Sequence, residues 1–153
     1  ALMPRLLSDD TSIDIADLGI PEAHLNIVRQ GMIDVVNAPN GTAFASRIRK
    51  EGQSMAGKTG TAQVRRISLA EREKGVLKNE ELAWRQRDHA MFVAYGPVES
   101  PKYAVSVLIE HGGGGSTVAA PVARDILSAV LDLDPMNKTP GDVASWSETG
   151  QEG

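Results

Sequence analysis

Gly57-Lys58-Thr59-Gly60-Thr61 gathers a cation, two hydroxyls and two glycines within five residues. Such a set suits the capture of an anion. One reading runs backwards from Thr59. Gly52-Gln53-Ser54-Met55-Ala56-Gly57-Lys58-Thr59 fits the phosphate-loop pattern G-x-x-x-x-G-K-[ST] at every fixed position. That chemistry needs a buried strand entering at Gly52 and a helix starting near Lys58, so that backbone N–H groups and the helix dipole hold phosphates. Ser46-Arg47-Ile48-Arg49-Lys50-Glu51 is too charged for such a strand. Gly60 costs a helix about 1 kcal/mol relative to alanine. Thr61 and Gln63 alternate with Ala62 and Val64, which is the period of a strand. Val105 to Glu110 could imitate the acidic strand that accompanies a phosphate loop, but reads more simply as a buried strand.

The second reading runs forwards. Lys58-Thr59-Gly60 resembles the K-T-G element of penicillin-recognising serine enzymes. Lys58-Thr59-Gly60-Thr61-Ala62-Gln63-Val64 resembles the third motif of class B penicillin-binding proteins, and the features around it follow the same order. Gly31-Met32 and Asn37-Ala38-Pro39-Asn40-Gly41-Thr42-Ala43 look like the preceding helix and turn. Arg87-Asp88-His89-Ala90-Met91-Phe92-Val93-Ala94-Tyr95-Gly96-Pro97 looks like the next strand. Ala104 to Glu110, Gly112 to Gly115, and the helix containing Ala120-Pro121-Val122-Ala123 look like the last strand, turn and helix. The likeness covers residues 20–133 and is closest to the cell-elongation type.

This resemblance implies a peptidoglycan D,D-transpeptidase that works through a serine acyl-enzyme and is acylated by β-lactams. It implies catalytic roles for Lys58 and Thr61 and substrate binding by Lys58, Thr59, Gly60 and Thr61. Lys58 would set a positive field beside a substrate carboxylate and lower the pKa of a neighbouring proton carrier. The Thr59 and Thr61 hydroxyls would hold that carboxylate. Gly60 would leave room for an extended peptide on a strand edge. The Thr61 N–H would face an oxyanion, a contact worth about 2.7–4 kcal/mol in other enzymes. The implied partners are a peptidoglycan stem peptide or a β-lactam and the N-terminal remainder of the same protein. No cofactor or metal is implied. The implied location is the periplasmic face of the bacterial inner membrane, reached only through an N-terminal anchor outside this chain.

The chain also departs from the family. Ser-x-x-Lys and Ser-x-Asn should both precede K-T-G, and neither occurs. Ser46 comes nearest, with Arg49 three residues on. The chain begins at Ala1, inside what looks like a domain, so the expectation is a C-terminal part carrying one motif of three. A nucleotide-binding module using residues 52–59 and a non-catalytic interaction remnant remain the alternatives.

The elements that must position these residues form an α+β fold: an antiparallel sheet of at least three strands with flanking helices. Residues 1–20 read as an irregular lead-in. Pro21 suits the first turn of a helix. Leu25, Val28, Met32 and Val35/Val36 then share one face, and Pro39-Asn40-Gly41 ends the helix. Strands are expected over residues 54–64, 89–97 and 102–110, the last two joined as a hairpin. Tyr103, Val105, Val107 and Ile109 would line one face and Ala104 and Leu108 the other, predicting a strand covered on both sides. Residues 65–88 hold seven basic and five acidic residues, which suggests a solvated connection or a flap beside the site. A last helix starts between Thr117 and Pro121, with Val122, Ile126 and Val130 inward. Residues 1–133 would belong to the domain and 134–153 to a disordered tail.

Composition limits the remaining classes. The 153 residues suffice for one domain or most of one. A net charge of −4 argues against a nucleic-acid partner. The absence of cysteine excludes disulfides and thiolate metal sites. No apolar run approaches the ~20 residues of a membrane helix. His111-Gly112-Gly113-Gly114 imitates a lipase oxyanion loop, but no G-x-S-x-G follows it, so the glycines read as a flexible turn. Gly52-Gln53-Ser54-Met55-Ala56 has alanine where a nucleophile elbow needs glycine. His24, His89 and His111 lack metal-ligand spacing. Asp88-His89 suits a capping or packing role at a strand entry. An apolar strand left uncovered by the missing part would favour self-association.

Overall fold

A computed structural model describes residues 19–134. Residues 1–18 of the expected lead-in (1–20) and 135–153 of the expected tail (134–153) lie outside the described residues. Helix α1 (Glu22–Asn37) follows Pro21. It stops because Ala38 precedes Pro39, and a residue before proline is pushed into extended backbone, here φ −75° and ψ 141°. Gly41 then tucks beneath the helix end, where a Cβ would collide with the carbonyls of Asp34 and Val35. The Ala43 N–H donates to Val35 O at 2.9 Å. The Asn37 side chain donates to Ile33 O and to Met55 O, both at 2.9 Å, which ties α1 to the chain entering the sheet.

The sheet has three antiparallel strands in the order β1 (Ala56–Ala62), β2 (His89–Gly96), β3 (Tyr103–Ile109). Thr59 pairs with Phe92, and Phe92 with Val107. Alternation along the strands therefore gives a back face carrying Gly57, Thr59, Thr61, Ala90, Phe92, Ala94, Val105, Val107 and Ile109. Helix α3 (Ala120–Leu133) covers its β2 and β3 part, and Gly96 leaves room there for Leu127 and Leu131. Phe92, Ala90, Leu127, Ala123 and Ala120 are buried together.

The expected inward set on α3 is off by one position. Val122 and Ile126 are exposed, while Ala120, Ala123 and Leu127 face the sheet. Small alanines let the helix approach closely, and apolar residues on two sides of α3 blur the pattern that sequence alone supplies. On α1, Val28 is exposed and only Val36 is fully buried. The strand expected to be covered on both sides is covered on one, among the described residues. Ala104, Ser106 and Leu108 of β3 face outward. Asp134 accepts from Lys102 at 2.9 Å and from Tyr103 at 2.8 Å.

Candidate functional site

β1 lies at the edge of the sheet, so one side of its backbone is open among the described residues. Which groups face that side follows from its glycines. A Cβ placed on Gly115 would collide with Gly60 O and lie 2.5 Å from Met91 O and 3.1 Å from Gly60 N. Gly60 and Met91 are cross-strand partners. Carbonyls of both converging on one point must lie between the strands, so this pair exchanges its hydrogen bonds. By alternation, the N–H and C=O groups of Thr59 and Thr61 turn to the open edge.

Lys58 projects from the front face beside exposed Val93, its cross-strand partner. Its ammonium donates to Thr59 O at 2.8 Å and takes part in no ion pair among the described residues. Thr59 and Thr61 stand on the back side of the same edge, half-buried and exposed respectively, and Gly60 is half-buried on the front. The four residues thus come together as one outward-facing strand. Chemically, it offers backbone donors and acceptors along the edge, two hydroxyls and a cation.

The glycines of the phosphate-loop pattern serve packing and chain reversal instead. The Phe92 ring fills the space over Gly57, where a Cβ would lie 2.5 Å from Phe92 Cζ. Gly52 occupies a turn at φ +73°. No helix begins at Lys58, which sits inside β1. The phosphate-loop reading therefore fails on the context it requires.

Residues 65–88, expected as a solvated connection or a flap, are largely exposed. They form helix α2 (Leu69–Lys74), capped by Ser68, and short turns at Asn79–Glu81 and Trp84–Gln86. Arg65 pairs with Glu71; this bond raises the Arg65 pKa and lowers that of Glu71. The segment is fastened at the far end of β1. Asp88 accepts from Val64 N at 3.4 Å, and Asn79 Oδ1 accepts from Asp88 N at 2.9 Å. Gly113 N donates to Asp88 O at 2.8 Å. His111 N donates to His89 Nδ1 at 2.9 Å, so that nitrogen carries no hydrogen. His111 Nδ1 meets Arg87 O at 3.0 Å and must donate there. Trp84 packs edge-on against His111, 4.7 Å between centroids. Sequence reasoning missed Asn79 and Trp84 altogether; a lone tryptophan in a charged stretch was the available signal.

Residues 4–128 match the penicillin binding protein transpeptidase domain. The chain belongs to this family. Its transpeptidase segment is 42% identical over 120 residues to the peptidoglycan D,D-transpeptidase MrdA of Haemophilus influenzae, covering 76% of this chain and 17% of that protein. Against MrdA of Escherichia coli K12 it is 33% identical over 126 residues, covering 80% and 18%. A penicillin-binding protein PBP2 of Helicobacter pylori, solved with MreC, superposes with a TM-score of 0.62 at 27% identity, over 83% of this chain and 21% of that one. PBP2 of Pseudomonas aeruginosa, solved with WCK 5153, gives a TM-score of 0.56 at 32% identity, over 78% and 22%. The transpeptidase segment thus spans less than a quarter of the relatives it matches. The α+β fold expected from sequence is the fold of these neighbours.

Proposed function

We propose that this chain is the C-terminal part of an elongation-type peptidoglycan D,D-transpeptidase and supplies the substrate-holding strand of its active site. The observation that carries the reading is the open edge of β1, with the Thr59 and Thr61 backbone turned outward and Lys58 projecting from the front face. An extended stem peptide adds to that edge by main-chain hydrogen bonds. The Thr59 and Thr61 hydroxyls hold the substrate carboxylate, beside the positive field of Lys58. The Thr61 N–H stabilises the oxyanion as the acyl-enzyme forms. The nucleophilic serine and its base come from a Ser-x-x-Lys segment absent from these 153 residues. A neighbouring peptide amine then resolves the acyl-enzyme. The substrate is a peptidoglycan stem peptide, with β-lactams as its mimics, on the periplasmic face of the inner membrane.

Labelling with a fluorescent penicillin tests the proposal. The chain alone forms no stable adduct, because it has no activated nucleophile. A hybrid in which this chain replaces the matching segment of the Haemophilus MrdA is labelled, and Lys58→Ala slows labelling about 10²-fold. An adduct on the chain alone, or labelling indifferent to Lys58→Ala, overturns the reading.

A further inference from the structure

The glycine run Gly112–Gly115 reads in sequence as a flexible turn. Its surroundings are not those of a loose turn. Gly113 alone in the run has a positive φ, +85°. Gly112 would strike the side chains of Ile109 and Ala90 if it carried a Cβ, at 3.0 and 3.2 Å. Gly115 differs in what it would strike: the backbone of Gly60 and Met91. Side chains can rotate away from an added methyl group. A paired strand backbone can only translate.

We infer that Gly115 is a positioning residue for the K-T-G strand. It lets the turn Gly115–Ala119 rest directly on the hydrogen-bonded pair Gly60–Met91, and so sets how far the Thr61 N–H stands from the reacting centre. This rests on the role proposed for Thr61 above. The brace is rigid on its other side as well. Ala119 is fully buried, and the turn is closed by Val118 N donating to Gly114 O at 3.0 Å and Thr117 Oγ1 donating to the same oxygen at 3.3 Å. An added methyl at Gly115 would sit about 1 Å inside ordinary contact with Met91 O. The strand must shift by a similar amount. A misplacement on the order of 1 Å costs about 10²-fold in rate where donors are preorganised.

The experiment has two readouts. In the full chain, Gly115→Ala moves the amide resonances of Gly60 and Thr61, while Gly31→Ala, which meets nothing within 4 Å, leaves them in place. In the MrdA hybrid, Gly115→Ala lowers the rate constant at saturating fluorescent penicillin about 10²-fold. The labelled fraction and the concentration for half-maximal rate stay as in the parent. A role in stability alone would instead lower the labelled fraction and leave the rate constant of the folded remainder unchanged. Should Gly115→Ala not fold, Thr117→Val loosens the same turn at an exposed position and shifts the same two amides. Unmoved Gly60 and Thr61 resonances in the variant that folds overturn the inference. So does an unchanged rate constant in a hybrid that Lys58→Ala still slows. If Lys58→Ala has no effect either, it is the proposed function that fails.

Discussion

At the residue scale, glycine in this site is dictated by neighbours rather than by a ligand. Gly57 belongs to the motif by position, yet the Phe92 ring is what occupies its missing side chain. Gly57→Ala should therefore destabilise the chain by about 1–3 kcal/mol through overpacking. Phe92→Leu gives up part of the ring's packing but opens the space, so the double variant should lose less than the two single losses added together. Urea midpoints of the four proteins give the coupling directly. Additive losses would mean that the ring and the glycine do not share that space. The motif's letters were legible in the sequence. That Gly57 answers to a phenylalanine 35 residues later was not, because the contact exists only across the β1–β2 pairing.

At the element scale, the turn entering β1 is fastened to α3 by charge. Lys50 and Gln53 both bond Asp132, and these bonds, Lys50 first, hold its carboxyl below the ordinary range. Arg65 does the same to Glu71 within the segment that follows β1. A carboxyl depressed in the folded state contributes stability that is fully present above its unfolded value, near 3.9 for Asp, and is lost as pH falls through the folded one. The urea midpoint should thus be flat through neutral pH and drop below about pH 4. Asp132→Asn should reduce that drop, and added salt should shrink it, since the pair is half-exposed. A midpoint that is independent of pH in acid, or a drop unaltered by Asp132→Asn, would contradict this assignment. Sequence placed these elements to within a few residues, but not the bonds between Lys50 and Asp132, which are 82 positions apart.

At the scale of the whole molecule, the two sheet faces are covered unequally among the described residues: on the front, Ala56 of β1 is fully buried while Ala104, Ser106 and Leu108 of β3 are exposed. α3 covers the β2 and β3 part of the back. The front shows Val93 at 42% exposure and Leu108 at 54%, and Met32 of α1 lines a groove there with Val93, Tyr95, Ala104 and Ser106. An apolar face beside an open strand edge favours association of like chains. Light scattering over a concentration series should show growth of oligomers and binding of an apolar dye. Leu108→Lys should suppress both. A monomer at every concentration, with no dye bound, would mean that this face is covered by the chain itself.

Local rules were enough for the strand through Lys58, the helix stopped by Pro39, the hairpin and the approximate start of α3. Each depends on neighbours a few residues apart, through hydrophobic period, proline and glycine. The K-T-G element and the order of features around it were likewise readable, and they pointed to the transpeptidase family. Tertiary structure decided what periodicity cannot encode. It selected Ala120, Ala123 and Leu127 over Val122 and Ile126, because a close-packed sheet admits small residues where helical spacing allowed either set. It fastened residues 65–88 to the end of β1 through Asp88 and His111, whose partners Val64 and Arg87 each lie 24 positions away, with Asn79 holding Asp88 in place. It also made Gly115 a neighbour of Gly60, since only the folded sheet brings two backbones separated by 55 residues into contact.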